Sequence, residues 1–192
     1  MSPQMGIFIL WDVWAVSWFI AALWSDRAAK RPPSLSQIPH WTITLIGGVL
    51  LLGIRTRYRQ GPGRLWDVSE TWGWGFVALA AIGLGFCWWA RLHLGRLWSG
   101  TVTRKADHRI IDTGPYALVR HPIYTGIILS AFATGLLRGT SFTIAGAAIM
   151  TLGFWMKARL EERFLREELE PEAYAHYSQR TPMLVPFISK RH

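Results

Sequence analysis

Charge and cysteine are scarce in this sequence, and each scarcity excludes a class of protein. Only 17% of the 192 residues are charged, whereas soluble domains usually have about a quarter. The single cysteine, Cys87, lies inside an apolar block, so a framework of disulfide bonds is excluded. The sequence also lacks a Gly-rich phosphate-binding loop, a nucleophile elbow and histidines at metal-ligand spacing. We therefore expect no metal.

Apolar and aromatic residues are abundant instead. Hydrophobic residues make up 51% of the chain, which includes 12 tryptophans, and they form long blocks separated by short basic stretches. Crossing a bilayer takes about 20 apolar residues in a helix. The pattern predicts an all-α integral membrane protein with about five transmembrane helices. The predicted spans are residues 6–24, 41–54, 73–92, 122–137 and 141–155.

The positive charge fits a membrane protein better than a nucleic-acid-binding protein. The net charge is +9, but the Lys and Arg residues flank apolar spans and form no domain of their own, so we expect no nucleic-acid partner. With five spans, all but five of the 21 Lys and Arg fall on one side of the membrane. The positive-inside rule then predicts an outside N-terminus and a cytoplasmic C-terminus. The five exceptions are Arg55, Arg57, Arg59, Arg64 and Arg138.

The segment after the fifth span is amphipathic. Apolar residues recur at helical spacing over residues 159–169, which predicts a cytoplasmic amphipathic helix at the membrane interface. Pro171 should end that helix, and a second short helix should place Tyr174 and Tyr177 on one face. We find no internal repeat, so the architecture of an inverted-repeat transporter has no support. We expect a single membrane domain over residues 1–192.

Two polar clusters should meet at one membrane face. The first covers residues 108–126 and the second residues 157–163. The tight turn between the fourth and fifth spans makes those spans an antiparallel hairpin, so His121 at the start of one and Lys157 at the end of the other should come together. The simpler alternative is that the first cluster is a basic helix cap and that Lys157 and Glu161 form a surface ion pair of about 0–1 kcal/mol.

The residue types favour a site for a charged small molecule. Lys157 and Glu161 are four residues apart and share a helical face, so they could hold a zwitterion and an anionic substrate group. Pro122 suits the first position of a helix, and the free N–H groups of that helix start favour a carboxylate or phosphate.

Residues 114–126 (GPYALVRHPIYTG), the pair Glu161-Glu162 and the later residues Tyr174, Tyr177, Pro182 and Pro186 resemble the isoprenylcysteine carboxyl methyltransferase family. These integral membrane enzymes use S-adenosylmethionine and are related to phospholipid N-methyltransferases. The resemblance covers roughly the last half of the chain. It implies a methyltransferase-like core over residues 73–192, preceded by two spans in residues 1–72. It also implies a cytoplasm-facing cofactor site that is closed by the C-terminal tail.

The resemblance also implies roles for individual residues. Glu161 corresponds to the acid that holds the amino-acid end of the cofactor, and Lys157, with Arg180, is expected to bind substrate. The family usually has an arginine where Lys157 stands, and Lys157 keeps the charge without the planar bidentate fork. Glu170-Pro171 replaces a common Phe-Gly pair. The expected cofactor-binding residues are His108, Arg109, Ile110, Ile111, Tyr116, His121, Pro122, Ile123, Tyr124, Glu161 and Glu162.

The implied reaction is methyl transfer from S-adenosylmethionine to a lipid-like or isoprenoid acceptor, with a carboxylate favoured. A carboxylate needs no general base, whereas an amine would need one, and His121 or a glutamate is the candidate catalytic group. One alternative is a membrane sterol-type reductase that uses NADPH, because such enzymes have a similar Arg-His-Pro motif. Another is a non-enzymatic membrane scaffold or transporter.

Overall fold

The structure is a computed structural model that describes residues 1–23, 34–53, 63–95, 111–168 and 171–187. These residues form helices and connecting turns, and within them the only strand-like pairing is an isolated bridge between Arg64 and Thr140. The helices are α1 (Pro3–Ala22), α2 (Ser34–Leu52), α3 (Glu70–Leu94), α4 (Pro115–Leu118), α5 (Pro122–Arg138), α6 (Ser141–Glu168) and α7 (Pro171–Arg180).

Three of the described helices, α1, α3 and α6, are long and apolar enough to cross a membrane. The other two apolar helices, α2 and α5, are shorter, so the predicted all-helical class is confirmed and the number of spans is at least three by this measure. Large apolar side chains on the outer faces of these helices are exposed, including Phe19, Leu45 and Ile82. Contiguous apolar surface of this kind suits contact with lipid rather than with water.

One long helix replaces the predicted fifth span and separate amphipathic helix. α6 runs without interruption from Ser141 to Glu168. Neither glycine nor proline occurs between Met156 and Glu168, so no residue there stops a helix. Within this extension Phe164 is buried, and α6 packs against α7 there. Of the predicted apolar face, Phe164 is buried and Leu160 and Leu165 are half-buried, while Leu169 lies outside the described residues. These residues continue the long helix α6.

The helices pack in the order α1, α3, α5, α6, α2. α5 and α6 form the predicted hairpin, because Gly139 ends α5 in the left-handed conformation at φ 62° and α6 begins at Ser141. The two closest helix pairs are α3 with α5 and α2 with α6. The hairpin therefore joins two tightly packed pairs and brings the start of α5 beside the end of α6.

Small residues allow both close approaches. A Cβ atom placed on Gly83 of α3 would lie 2.6 Å from the Gly126 carbonyl oxygen of α5 and would also overlap Ser130 Oγ. In the other pair, a Cβ atom on Gly47 of α2 would lie 2.8 Å from the Gly146 oxygen of α6. Such contacts bring backbones together where the hydrophobic effect does not drive helix association.

We predict that Gly83→Ala destabilises the α3–α5 pair, because its added methyl group has no room. The expected cost is about 1–3 kcal/mol, measured as a lower midpoint of thermal unfolding in detergent. The matched control is Gly85→Ala on the same helix, where no atom lies within 4 Å of the new Cβ atom. That variant should unfold at the wild-type temperature or above. Equal midpoints for the two variants would contradict the packing described here.

Candidate functional site

The site begins at the turn between α4 and α5. Gly114 has φ 57°, a conformation that favours glycine, and a Cβ atom there would lie 2.8 Å from the His93 ring. His93 Nε2 lies 2.9 Å from Thr113 Oγ1, and its ring stacks on Tyr116. The end of α3 therefore supports this turn and holds Tyr116 buried beneath it.

His121 and Glu161 join the two predicted clusters. His121 Nδ1 lies 3.3 Å from Glu161 Oε2, and the Tyr124 hydroxyl donates a 2.6 Å hydrogen bond to Glu161 Oε1. The His121 ring also stacks on the Tyr124 ring, with an interplanar angle of 5°. The predicted convergence of the start of α5 with the end of α6 is therefore confirmed for these residues.

Glu162 forms a second ion pair beside the first. Arg120 donates from Nε and Nη2 to Glu162 Oε1 at 2.8 Å and 2.7 Å, and His121 Nε2 lies 3.4 Å from the same oxygen. Arg166 approaches the other carboxylate oxygen at 3.6 Å. The adjacent acids of α6 thus have separate partners on the start of α5, and they share His121 between them.

The two acids change the protonation of the histidine between them. Burial lowers the pKa of His121, but hydrogen bonds and charge–charge attraction from Glu161 and Glu162 outweigh burial and raise that pKa above its ordinary value. A raised pKa means that His121 carries positive charge over a wider pH range than a free histidine. In that state its positive charge attracts the two acids, and its ring has no lone pair free to act as a base.

The segment after α7 covers the turn before α5. The backbone N–H groups of Arg120 and His121 donate to the carbonyl oxygens of Pro182 and Met183, at 2.9 Å and 3.1 Å. Arg120 Nη1 also donates to the Ser178 carbonyl oxygen at 2.7 Å. These bonds fix the tail across the Arg120–His121 turn.

α7 is held to α4 by its tyrosines. The Tyr177 hydroxyl donates a 2.8 Å hydrogen bond to the Tyr116 carbonyl oxygen, and Tyr174 packs edge-on against Tyr177. Both α7 tyrosines are buried, and burial raises the pKa of each well above its ordinary value. Both therefore remain neutral, and the Tyr177 hydroxyl anchors α7 to α4.

Lys157 lies one turn before Glu161 on α6, between two aromatic rings. Its Nζ atom is 4.8 Å from the centroid of the Trp41 ring and 5.2 Å from that of Tyr124. Its side chain is buried, with 6% of the residue exposed. A cation at these distances is attracted by the faces of both rings. The site therefore contains a buried ammonium beside the acid pair, contributed by the predicted substrate-binding lysine.

Residues of α2 also reach this region, and sequence analysis did not include them. Trp41 lies against Lys157, and the neighbouring residue His40 is buried with 2% exposed. Gln37, one turn earlier, is buried as well. The sequence did contain a signal for these two residues. Gln37 and His40 are polar residues three positions apart at the edge of an apolar block, so they share one face of a helix.

The remaining predicted site residues lie outside the described residues, near the start of α5, or at the surface. His108, Arg109 and Ile110 lie outside the described residues. Pro122 is buried at the start of α5, while Ile111 and Ile123 are half-buried. Arg180 pairs with Asp112 at the surface, and half of its side chain is exposed. Arg180 is therefore not among the residues gathered around Lys157, and its predicted role in substrate binding stays a prediction.

Known proteins match the part of the chain that builds this site. Residues 76–167 match the isoprenylcysteine carboxyl methyltransferase (ICMT) family. Protein-S-isoprenylcysteine O-methyltransferase B of Arabidopsis thaliana is 28% identical over 89 residues, which cover 46% of this chain and 45% of that protein.

Two bacterial relatives match over longer stretches. Cobalt-zinc-cadmium resistance protein CzcN of Cupriavidus metallidurans is 29% identical over 151 residues, 70% of this chain and 66% of its own length. Methanethiol S-methyltransferase 1 of Bradyrhizobium diazoefficiens is 26% identical over 178 residues, 85% of this chain and 58% of its own length. This chain thus spans about half to two thirds of the length of these relatives.

The family match covers α3, α5 and most of α6, which are the helices that position Tyr124, Lys157 and Glu161. Together with the apolar helices, it makes this chain an integral membrane protein. Through residues 76–167, just under half of its length, the chain is similar to the isoprenylcysteine carboxyl methyltransferase family, as its motifs predicted.

Proposed function

We propose that this protein is a membrane methyltransferase that uses S-adenosylmethionine and acts on an apolar acceptor whose reacting group is an anion at the moment of methyl transfer. The observation that supports it most is the buried cluster of Glu161, His121 and Tyr124 beside the Lys157 ammonium. The Glu161 carboxylate and the Lys157 ammonium thus lie a helical turn apart, where water is largely excluded. A structural ion pair would not need two aromatic rings around the lysine.

The chemistry of these residues fits S-adenosylmethionine. Glu161 offers a carboxylate to the α-ammonium group of the cofactor's amino-acid end, and the Tyr116 and Tyr124 rings offer apolar surfaces. Family members use this cofactor as methyl donor. When bound, it supplies an electrophilic methyl group on a sulfonium. His121 would hold Glu161 in place while carrying its positive charge, so we assign it a positioning role rather than that of a general base.

Lys157 would hold the acceptor. Its ammonium favours an anion, and both a carboxylate and a thiolate meet that requirement. Of the relatives described above, one is named as a protein-S-isoprenylcysteine O-methyltransferase and another as a methanethiol S-methyltransferase, so both oxygen and sulfur acceptors occur among similar proteins. A carboxylate is already ionised and needs only alignment with the methyl group, which can supply much of the rate.

The fold suggests how acceptor and cofactor stay apart from water. The tail over residues 181–184 covers the Arg120–His121 turn, and the site lies at one end of apolar helices whose outer faces are exposed. A lipid-like acceptor would enter sideways from the bilayer.

We propose a single membrane domain with five spans, in which residues 73–192 form the catalytic core and the site faces the cytoplasm. The expectation that no metal takes part stays a prediction.

We predict that Glu161→Gln weakens binding of S-adenosylhomocysteine more than tenfold, or about 1.4 kcal/mol, in calorimetric titration. The amide keeps an acceptor for the Tyr124 hydroxyl but loses the charge that holds an ammonium group. Glu167→Gln, an exposed acid on the same helix, is the control and should bind as the wild type does. Unchanged affinity in Glu161→Gln would remove Glu161 from the cofactor site.

We predict that Lys157→Gln leaves cofactor affinity within about twofold but raises KM for an anionic acceptor about tenfold or more, because a charge-assisted hydrogen bond is lost. Arg159→Gln is the matched control, since Arg159 is exposed two residues further along α6. Equal losses of cofactor and acceptor binding would contradict this division of roles.

We predict opposite accessibility for two introduced cysteines, as the positive-inside rule requires. In oriented vesicles, a membrane-impermeant maleimide should label Ala117→Cys from the cytoplasmic side and Thr71→Cys from the outside. Both positions are exposed, whereas the native Cys87 is buried and donates to the Ile123 carbonyl oxygen. The reverse labelling pattern would overturn the orientation.

A further inference from the structure

The start of α2 has a buried polar face that the proposed reaction with a carboxylate does not use. Gln37 and His40 are both buried on a helix whose neighbouring residues Ile38 and Trp41 are exposed. His40 Nε2 is inaccessible to solvent, and the described residues offer it no hydrogen-bond partner. A buried polar atom without a partner costs free energy, so it calls for an explanation.

The packing of α2 against α6 places His40 opposite Lys157. The two helices are antiparallel: Gly47 of α2 contacts Met150, and Thr44, three residues earlier, contacts Gly153, three residues later. One further turn along each helix leads to His40 on α2 and Lys157 on α6. The contact of Lys157 Nζ with the ring of Trp41, the residue after His40, confirms this register.

We infer that His40 contacts the methyl acceptor directly and that this acceptor is a thiol whose proton passes to His40 Nε2. This inference rests on the proposed methyl transfer and specifies its substrate class. Burial, the missing partner and the position opposite Lys157 are the observations that support it. His40 would be a catalytic residue contributed by α2, outside the segment that matches the family.

The charge at Lys157 distinguishes a thiol from other acceptors. A carboxylate is already ionised near neutral pH, so it would leave a buried proton acceptor without a task. An amine would arrive as a cation, which the Lys157 ammonium repels. A thiol arrives neutral and needs a base, and the thiolate that forms is stabilised by Lys157. The combination of a neutral imidazole with a buried ammonium therefore suits a thiol best.

The step balances without another reactant. The S–H bond of the thiol breaks, its proton moves to His40 Nε2, and the sulfur keeps the electron pair. That sulfur then forms a bond to the methyl carbon of the sulfonium donor, whose old C–S electron pair stays on the donor sulfur. The products are a methyl thioether, a neutral donor thioether and a protonated imidazole, which releases its proton to solvent before the next turnover.

The test compares two thiols that differ in acidity. His40→Gln should lower the methylation rate of a short alkanethiol about 100-fold or more, since general-base catalysis typically contributes at least that factor. Thiophenol is largely ionised near neutral pH and needs no base, so its rate should fall less than fivefold. Thr42→Val, on the exposed side of α2, is the control and should leave both rates unchanged.

Two binding measurements keep this test independent of activity. His40→Gln should bind S-adenosylhomocysteine as the wild type does, which also shows that the variant folds. In wild-type protein labelled with 15N-histidine and bound to S-adenosylhomocysteine, the alkanethiol should shift the Nε2 resonance that disappears in His40→Gln.

Equal losses for both thiols, or an Nε2 resonance that the alkanethiol does not shift, would overturn the role of His40. Methylation of a carboxylic acid probe but of neither thiol would overturn the substrate class while preserving the proposed methyl transfer. A wild-type protein that binds no S-adenosylhomocysteine would instead contradict the proposed function itself.

Discussion

The two adjacent acids of α6 are the constraint on which the rest of the site depends. A carboxylate removed from water is costly unless it is paired, and Glu161 and Glu162 lie largely out of water. Apart from Arg166 on α6 itself, their partners described above are Arg120, His121 and Tyr124, which come from the turn before α5 or its first helical residues. The acids therefore tie the end of α6 to the start of α5, and Arg120 extends that tie to the tail through carbonyl oxygens.

The glycine-lined helix pairs determine what else reaches these acids. Gly47, Gly146 and Gly153 let α2 approach α6 closely, and the resulting register places Trp41 against Lys157. Had α2 packed one turn further along, an aliphatic residue would face the ammonium. The buried cation, its aromatic neighbours and the acid pair thus follow from backbone contacts several turns away. This is the link between packing in the membrane and the proposed recognition of an anionic acceptor.

Much of this arrangement was predictable from the sequence, because it depends on local signals. Gly139 and the short turn predict the α5–α6 hairpin, and the hairpin brings His121 to Glu161. The choice of Glu162 as the partner of Arg120 was not predictable, since it depends on helix rotation. Nor was the role of α2: His40 is more than a hundred residues from Lys157, and only the register of packed helices reveals that they face each other. The continuous α6 was missed because a change of hydrophobic pattern was interpreted as a helix end.

The most direct test of the account is calorimetric titration of the purified wild-type protein with S-adenosylhomocysteine, with NADPH as the parallel ligand. The account predicts saturable binding of S-adenosylhomocysteine in the micromolar range and no binding of NADPH. Binding of NADPH alone would contradict it and favour a reductase of the sterol type. Binding of neither would contradict it as well, and the buried acids would then be a structural ion-pair network in a non-enzymatic membrane protein.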